Sequence, residues 1–267
     1  MKVTLIQMDI AWLDADANRR HAQQLIEAHA GSDLYVLPEM FNTGFAPDPT
    51  LAAEPEDGPT LAWMREMAAR MDAAIAGSVA TRIGTNDGSD RYTNRLYFVL
   101  PDGTTHSYDK HHLFGYGGEN RRYTPGDERV VVSFRGVRFM PLVCYDLRFP
   151  TWSRNRPTLF GTTDGATDGN ALYDCLLYVA SWPTSRLPAW RTLLHARAIE
   201  NQSYALGVNR VGTDPACDYS GGTFCVDPYG RTAAECEAGK EEALTVQLDM
   251  ARLKAFRAKF PVLADRD

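Results

Sequence analysis

Five cysteines, at positions 144, 175, 217, 225 and 236, are too few and too scattered to staple a chain of 267 residues. Their number is odd and none falls into a Cys-x-x-Cys or Cys/His ligand spacing, which argues against a disulfide framework and against a zinc site. Positive charge is also short. Lys and Arg number 28 against 34 Asp and Glu, a net charge of −6, and no basic run occurs. The chain therefore has no electrostatic footprint for nucleic acid or an anionic membrane. No apolar stretch approaches the length of a membrane span. The chain opens at once on the alternating segment Lys2 to Met8, without the charged, apolar and cleavage regions of a signal peptide. The expectation is a reduced, cytoplasmic protein with no metal, cofactor, nucleic-acid or membrane partner. No Pro/Gly-rich linker divides the chain, so one domain spanning 1–267 is expected.

What the sequence does hold is alternation of strand-like and helix-like segments. Asp14 is placed to cap a helix running to about His29, with Gly31 as its stop. Pro59 and Thr60 open a second helix, in which Leu61, Met64, Met67, Ala68 and Met71 recur at helical spacing and read as core. Ala74 to Ala80, Tyr92 to Leu100, Thr104 to Tyr108, Val130 to Phe134 and Val137 to Val143 read as strands, as do Cys175 to Ala180, Ser203 to Val208, Gly222 to Asp227 and Ala243 to Leu248. Helices are expected at Ala189 to Gln202 and Met250 to Arg257, with a short one at Thr151 to Arg154. Phe41 to Asp57 reads as a loop. Periodicity gives mixed α/β and leaves open whether the sheets are doubly wound or sandwiched.

Three strand-like runs stop at a reactive side chain. Leu34-Tyr35-Val36-Leu37-Pro38 delivers Glu39, because Pro38 cannot continue a central strand. The hairpin around Pro101-Asp102-Gly103 leads to Lys110, and the run Val137 to Val143 ends at Cys144. Reactive groups collect where strands finish, since loops there can vary while the sheet holds them. This constellation, in LPEMF, YDKHHLF and VCYDLRFP, together with GGENRRYTPG (117–126) and RAIENQSYALGVNRVG (197–212), resembles the nitrilase or carbon-nitrogen hydrolase superfamily. The combination LPEMFNTGF, DKHHLF, GGEN and CYDLRFPTWSRN resembles its ω-amidase branch most.

The resemblance implies an α/β fold of the four-layer α-β-β-α sandwich type, usually extended through a dimer interface, and a catalytic set of Glu39, Lys110 and Cys144. Glu119 stands at the position of the family's accessory carboxylate. The residue types suit thiol catalysis: a free thiol titrates near ~8.5, so Cys144 needs a lowered pKa or an adjacent base, and Lys110 and Glu39 are candidates for supplying both. Lys110 and the backbone N–H of Tyr145 are candidates for holding an oxyanion. The implied reaction is hydrolysis of a small terminal amide, such as that of 2-oxoglutaramate. Another amidase or an N-carbamoyl hydrolase is the near alternative, and a non-catalytic scaffold the distant one.

For Arg148 two readings stand side by side, an ion pair with Asp146 inside the turn after Cys144, or a fork on a substrate carboxylate. A guanidinium there is expected to be buried and in need of a partner. Trp182, Phe45 and Tyr116 are candidates for the pocket wall or for core packing. His111 and His112 read as structural, because nothing around Cys144 matches a papain-type Cys-His context. Arg197 and Glu200 read as an ion pair positioning their helix. The Thr-, Gly- and Asp-rich segment 157–171 reads as a surface insertion; its Asp-Gly spacing does not fit a calcium loop.

Overall fold

The computed structural model describes residues 1–85, 88–156 and 171–265. The first part of the chain runs β1 (Lys2–Gln7), α1 (Ala15–Ala28), β2 (Leu34–Val36), β3 (Glu54–Pro55), α2 (Pro59–Met71), β4 (Ala74–Gly84), β5 (Asp90–Val99) and β6 (Thr105–Asp109). The second part runs β7 (Val132–Phe134), β8 (Val137–Val143), β9 (Cys175–Ala180), α3 (Leu187–Asn201), β10 (Tyr204–Asn209), β11 (Val211–Thr213), β12 (Asp218–Ser220), β13 (Phe224–Val226), β14 (Thr232–Glu235), β15 (Glu242–Gln247) and α4 (Met250–Lys259).

Two sheets carry the architecture. One has the order β15-β1-β2-β4-β5-β6, with β3 also on β4, and the other β14-β13-β10-β9-β8-β7. Each is built on a parallel triplet, β1-β2-β4 in the first and β8-β9-β10 in the second, extended on both sides by antiparallel strands.

The side-chain alternation of the strands defines the layers. Leu34 and Val36 of β2, Ala74 and Ala76 of β4, and Leu96 and Phe98 of β5 join a core shared with Phe139, Leu142 and Leu177 of the second sheet. The intervening Tyr35, Ile75, Tyr97 and Val99 face the other way, into a core with Ala22 and Ile26 of α1 and Met64, Met67 and Ala68 of α2. On the far side of the second sheet, Gly207 lets Trp190 and Leu194 of α3 approach the backbone of β10. An added Cβ there would lie 2.4 Å from Leu194 Cδ1. The result is the four-layer α-β-β-α sandwich, and the methionine stripe of α2 is core.

Elements depart from expectation in a few places. Thr151 to Arg154 forms a turn and not a helix, while a 3₁₀ turn occupies Cys144–Arg148. Pro150 disfavours helical backbone at Phe149 and so separates the two segments. The Phe41 to Asp57 loop contains a 3₁₀ turn at Pro49–Leu51 and the short β3. Apart from Ala171, the expected insertion lies outside the described residues. Among the described residues no helix is long and apolar enough to cross a membrane.

Candidate active site

Glu39, Lys110, Glu119 and Cys144 come from four separate stretches and meet at one place. Glu39 follows β2. The chain turns there through Met40, whose φ of 45° is left-handed and whose N–H donates to Ser78 Oγ at 2.9 Å. Lys110 follows β6, with its N–H donating to Asn94 O at 2.9 Å. Its ammonium Nζ donates to Glu39 Oε1 at 2.9 Å and to Glu119 Oε2 at 2.8 Å. Asn94 on β5 ties the two carboxylates together, its Nδ2 donating to Glu39 Oε1 at 2.8 Å and to Glu119 Oε1 at 3.1 Å. Backbone donors complete the carboxylates: Ser181 N–H reaches Glu39 Oε2 at 2.8 Å, and Phe114 N–H reaches Glu119 Oε2, the oxygen that Lys110 also holds, at 2.6 Å. Glu39, Glu119 and Asn94 have no exposed surface, and Lys110 is 1% exposed.

Burial sets the proton affinities of this cluster. Desolvation alone would favour the neutral lysine, but the carboxylates of Glu119 and Glu39 outweigh it and hold Lys110 charged, its pKa well above the ordinary value. Glu119 is pushed up, by burial first and by the neighbouring Glu39 charge, against the opposing pull of Lys110. The Cys144 thiol is pushed well above its usual range, by burial and by Glu39, with Lys110 only partly compensating. Lys110 does pull this thiol's pKa down, but the net shift is upward, so of the two routes to an active thiol, a lowered pKa or an adjacent base, the lowered pKa is not the one realised. Two carboxylates and a dry setting outweigh one ammonium.

Cys144 has a φ of 46°, a conformation that costs a non-glycine residue of order 1–3 kcal/mol and persists only where its surroundings impose it. Asp146 imposes it. Its fully buried carboxylate accepts from Val143 N–H (3.1 Å), Tyr108 OH (2.8 Å), and the backbone N–H and Nδ1 of His112 (2.8 and 2.9 Å). The ring of His112 stacks on Phe149 and that of His111 on Trp152, so both histidines brace this turn, as read from sequence. Arg197 pairs with Glu200 at 2.9 Å and donates to Leu147 O at 2.6 Å, anchoring α3 to the same turn.

Asp146 is thus engaged by His112 and not by Arg148, which corrects the ion-pair reading. Nor is Arg148 buried. It is exposed, has no acidic partner among the described residues, and lies 5.1 Å over the ring of Trp182. Arg148 borders a cavity of about 420 Å³ that reaches Glu39, Lys110 and Cys144 and is walled by Phe45, Tyr145 and Trp182. Tyr116, 91% exposed, stands at its edge and contributes nothing to the core. Trp182, 3% exposed, serves as both core and wall. The loop that carries Phe45 and Pro47 supplies a further side.

Sequence reasoning missed Asn94, Ser181 and Arg186, which also border or brace the site. Asn94 left one signal, a strand-disfavoured amide in the middle of Tyr92 to Leu100. Ser181 had the same cue as Cys144, since it directly follows a buried strand that stops abruptly at Ser181-Trp182-Pro183, whereas Arg186 at the end of the next turn had none. Among the described residues no cluster of three His, Cys, Asp or Glu side chains is arranged to hold a metal ion.

Residues 2–258 match the carbon-nitrogen hydrolase family, and the chain belongs to it. It is an amidase acting on carbon–nitrogen bonds other than peptide bonds. Within that family it is 45% identical to omega-amidase YafV of Yersinia enterocolitica, over 100% of this chain and 97% of that protein. It is 33% identical to the 2-oxoglutaramate amidase of Bacillus subtilis, over 98% and 96%. In structure it resembles a CN-hydrolase superfamily protein of Xanthomonas campestris that has an arsenic adduct in its active site, with a TM-score of 0.91 and 42% identity over 100% and 97% of the two chains. The chain falls in the omega-amidase branch of the nitrilase superfamily.

Proposed function

We propose that the chain hydrolyses the terminal amide of small 2-oxo-dicarboxylic acid monoamides, such as 2-oxoglutaramate or 2-oxosuccinamate, through a thioester on Cys144. The observation that carries this reading is the placement of the Lys110 ammonium between Glu39 and Glu119, in a pocket that also reaches Cys144 and whose mouth holds Arg148, which has no acidic partner among the described residues. The names of the relatives in the omega-amidase branch support the same substrate class.

In this reading a thiol with a raised pKa needs a base, and Glu39 is that base. Glu39 takes the Cys144 proton as sulfur bonds to the amide carbon. The carbonyl oxygen becomes an oxyanion that Lys110 and the Tyr145 N–H stabilise. As the C–N bond breaks, Glu39 returns the proton to nitrogen and ammonia leaves. Water then gives a proton to Glu39 and attacks the thioester, and the proton passes to the departing sulfur. Glu119 and Asn94 hold Lys110 and Glu39 in register. Arg148 takes the carboxylate at the far end of the substrate.

Intact-mass measurement during turnover of 2-oxosuccinamate tests this reading. An acyl adduct is expected on the native protein and none on Cys144→Ala. Turnover that survives the substitution would sink it. We also propose a homodimer. Ile199 (54% exposed), Tyr229 (42%) and Phe260 (59%) are exposed large apolar side chains, with Ile199 against Gly230 beside Tyr229 and the Phe256 ring near those of both Tyr229 and Phe260. Light scattering should give twice the 29.7 kDa chain mass; a lone monomer at micromolar concentration would refute it.

A further inference from the structure

Five Asp, Glu, Lys or Arg side chains border the catalytic cavity: Glu39, Lys110, Arg148, Arg186 and Asp214. Glu39 and Lys110 are bonded to each other. Asp214 is fully engaged: its Oδ1 accepts from the N–H groups of Ala216 and Cys217, and its Oδ2 from Tyr219 OH at 2.6 Å. The two arginines differ. Among the described residues neither has an acidic partner or a side-chain hydrogen bond, and each lies on an aromatic face, Arg148 over Trp182 at 5.1 Å and Arg186 over Phe114 at 5.3 Å.

Arg186 is fixed as a wall residue and does not trail into solvent. It is half-buried and closes the 3₁₀ turn Thr184–Arg186, and its carbonyl accepts the Trp182 Nε1–H at 2.8 Å. Trp182 therefore offers its face to Arg148 and its edge to the backbone of Arg186. Phe114, under the Arg186 guanidinium, is the residue whose N–H donates to Glu119. A guanidinium lying on a ring satisfies its face and leaves its N–H edge free for a planar acceptor. Two such cations border one largely aromatic cavity, and among the described residues no acid is bonded to either. Water can hydrate both guanidiniums in the cavity, and a ligand that carries negative charge would take that place with stronger, charge-assisted hydrogen bonds.

We propose that Arg186 is a second specificity-determining residue, which acts with Arg148 to bind the anionic end of the amide substrate. One fork satisfies a carboxylate. Two guanidiniums bordering one cavity suit the larger planar acceptor array of a carboxylate with an adjoining 2-oxo oxygen. This rests on the amidase reading of the same site and deepens it by assigning the charge-reading to a pair.

The test compares kcat/KM for succinamate with that for the neutral butanamide, in the native protein and in Arg186→Met. It also measures calorimetric binding of succinamate to Cys144→Ala with and without Arg186→Met. The charged-to-neutral ratio should fall roughly 10- to 100-fold, mostly through KM, and binding to the Cys144→Ala background should weaken to a similar degree. Should Arg186→Met fail to fold, Arg186→Lys keeps the stem and charge without the fork and carries the same comparison with a smaller fall. An unchanged ratio together with unchanged binding overturns the proposal, whatever the amidase activity. Absence of turnover on every amide, with the binding difference intact, would remove the amidase reading and leave the anion site standing.

Discussion

Around Lys110 every charge is answered from within the chain, by Glu39, Glu119, Asn94 and two backbone N–H groups, all at the buried end of the cavity. At the mouth of the same cavity, Arg148 and Arg186 lie on aromatic faces, and among the described residues neither is bonded to an acid. The same low-dielectric physics explains both. A buried charge left unpaired is costly, so the interior cluster is complete in itself and belongs to chemistry common to any amide. A partly solvated guanidinium can wait for its partner at modest cost, so the mouth can be reserved for what distinguishes one amide from another.

The largest effect should come from opening the closed cluster. Cys144→Ala is expected to lower kcat by on the order of 10⁴-fold or more, and Lys110→Met by at least 10²- to 10³-fold, in single-turnover assays. A wild-type minus Cys144→Ala difference spectrum should show no thiolate absorbance at neutral pH, and its appearance only at alkaline pH, because burial and Glu39 raise the thiol pKa. Thiolate already present at neutral pH would contradict the base role given to Glu39.

A closed cluster remote from the reaction sharpens the comparison. Asp174 accepts from Arg138 Nε and Nη2 and from Arg257 Nη1. Although burial opposes ionisation, these arginines hold its pKa below the ordinary value. Asp174→Ala should cost about 3–5 kcal/mol in denaturant melts and leave the charged-to-neutral substrate ratio unchanged. Since the folded pKa is depressed, the stabilisation is complete above the unfolded carboxylate value of about 3.9 and is lost as pH falls through the lower folded value. A native protein whose stability is flat through that acid range would refute the assignment.

Asn94→Leu keeps the volume and removes the clamp on both carboxylates. It should lower kcat about 10- to 100-fold with little change in KM, and a rise in KM alone would show that Asn94 only supports the wall. The smallest effect belongs to the mouth: Arg148→Lys should reduce kcat/KM for succinamate roughly tenfold while nearly sparing butanamide. Equal losses on both, with a lowered melting temperature, would place Arg148 in the scaffold.

The closed cluster was largely legible in the sequence, and the open mouth was not. Glu39, Lys110 and Cys144 each terminate an apolar run, and that change of character survives in one dimension. Asn94 sits inside a strand, and its reach to Glu39 depends on how β5 lies in its sheet beside the residues that follow β2 and β6. Arg148 was expected to be buried because it follows a buried strand closely, yet the 3₁₀ turn at Cys144–Arg148 carries it outward, and Asp146 is occupied by His112. Arg186 follows a different strand, and only the packing of Trp182 brings it to the cavity. The strands and long helices could be read from periodicity; the turn at Thr151 to Arg154 could not, because a few residues with no periodic face leave the choice to neighbours.

Glu39 hangs from a strand of one sheet and Cys144 from a strand of the other, so neither half of the sandwich holds a reactive centre alone. Competence exists only while the two sheets are pressed together through Phe98, Phe139, Leu142 and their neighbours. Turnover is in that sense a gauge of docking. A state that keeps its strands and helices but lets the sheets slide would look folded to far-ultraviolet light and be inert, and a cavity cut into the shared core would register at the thiol before it registered in secondary structure.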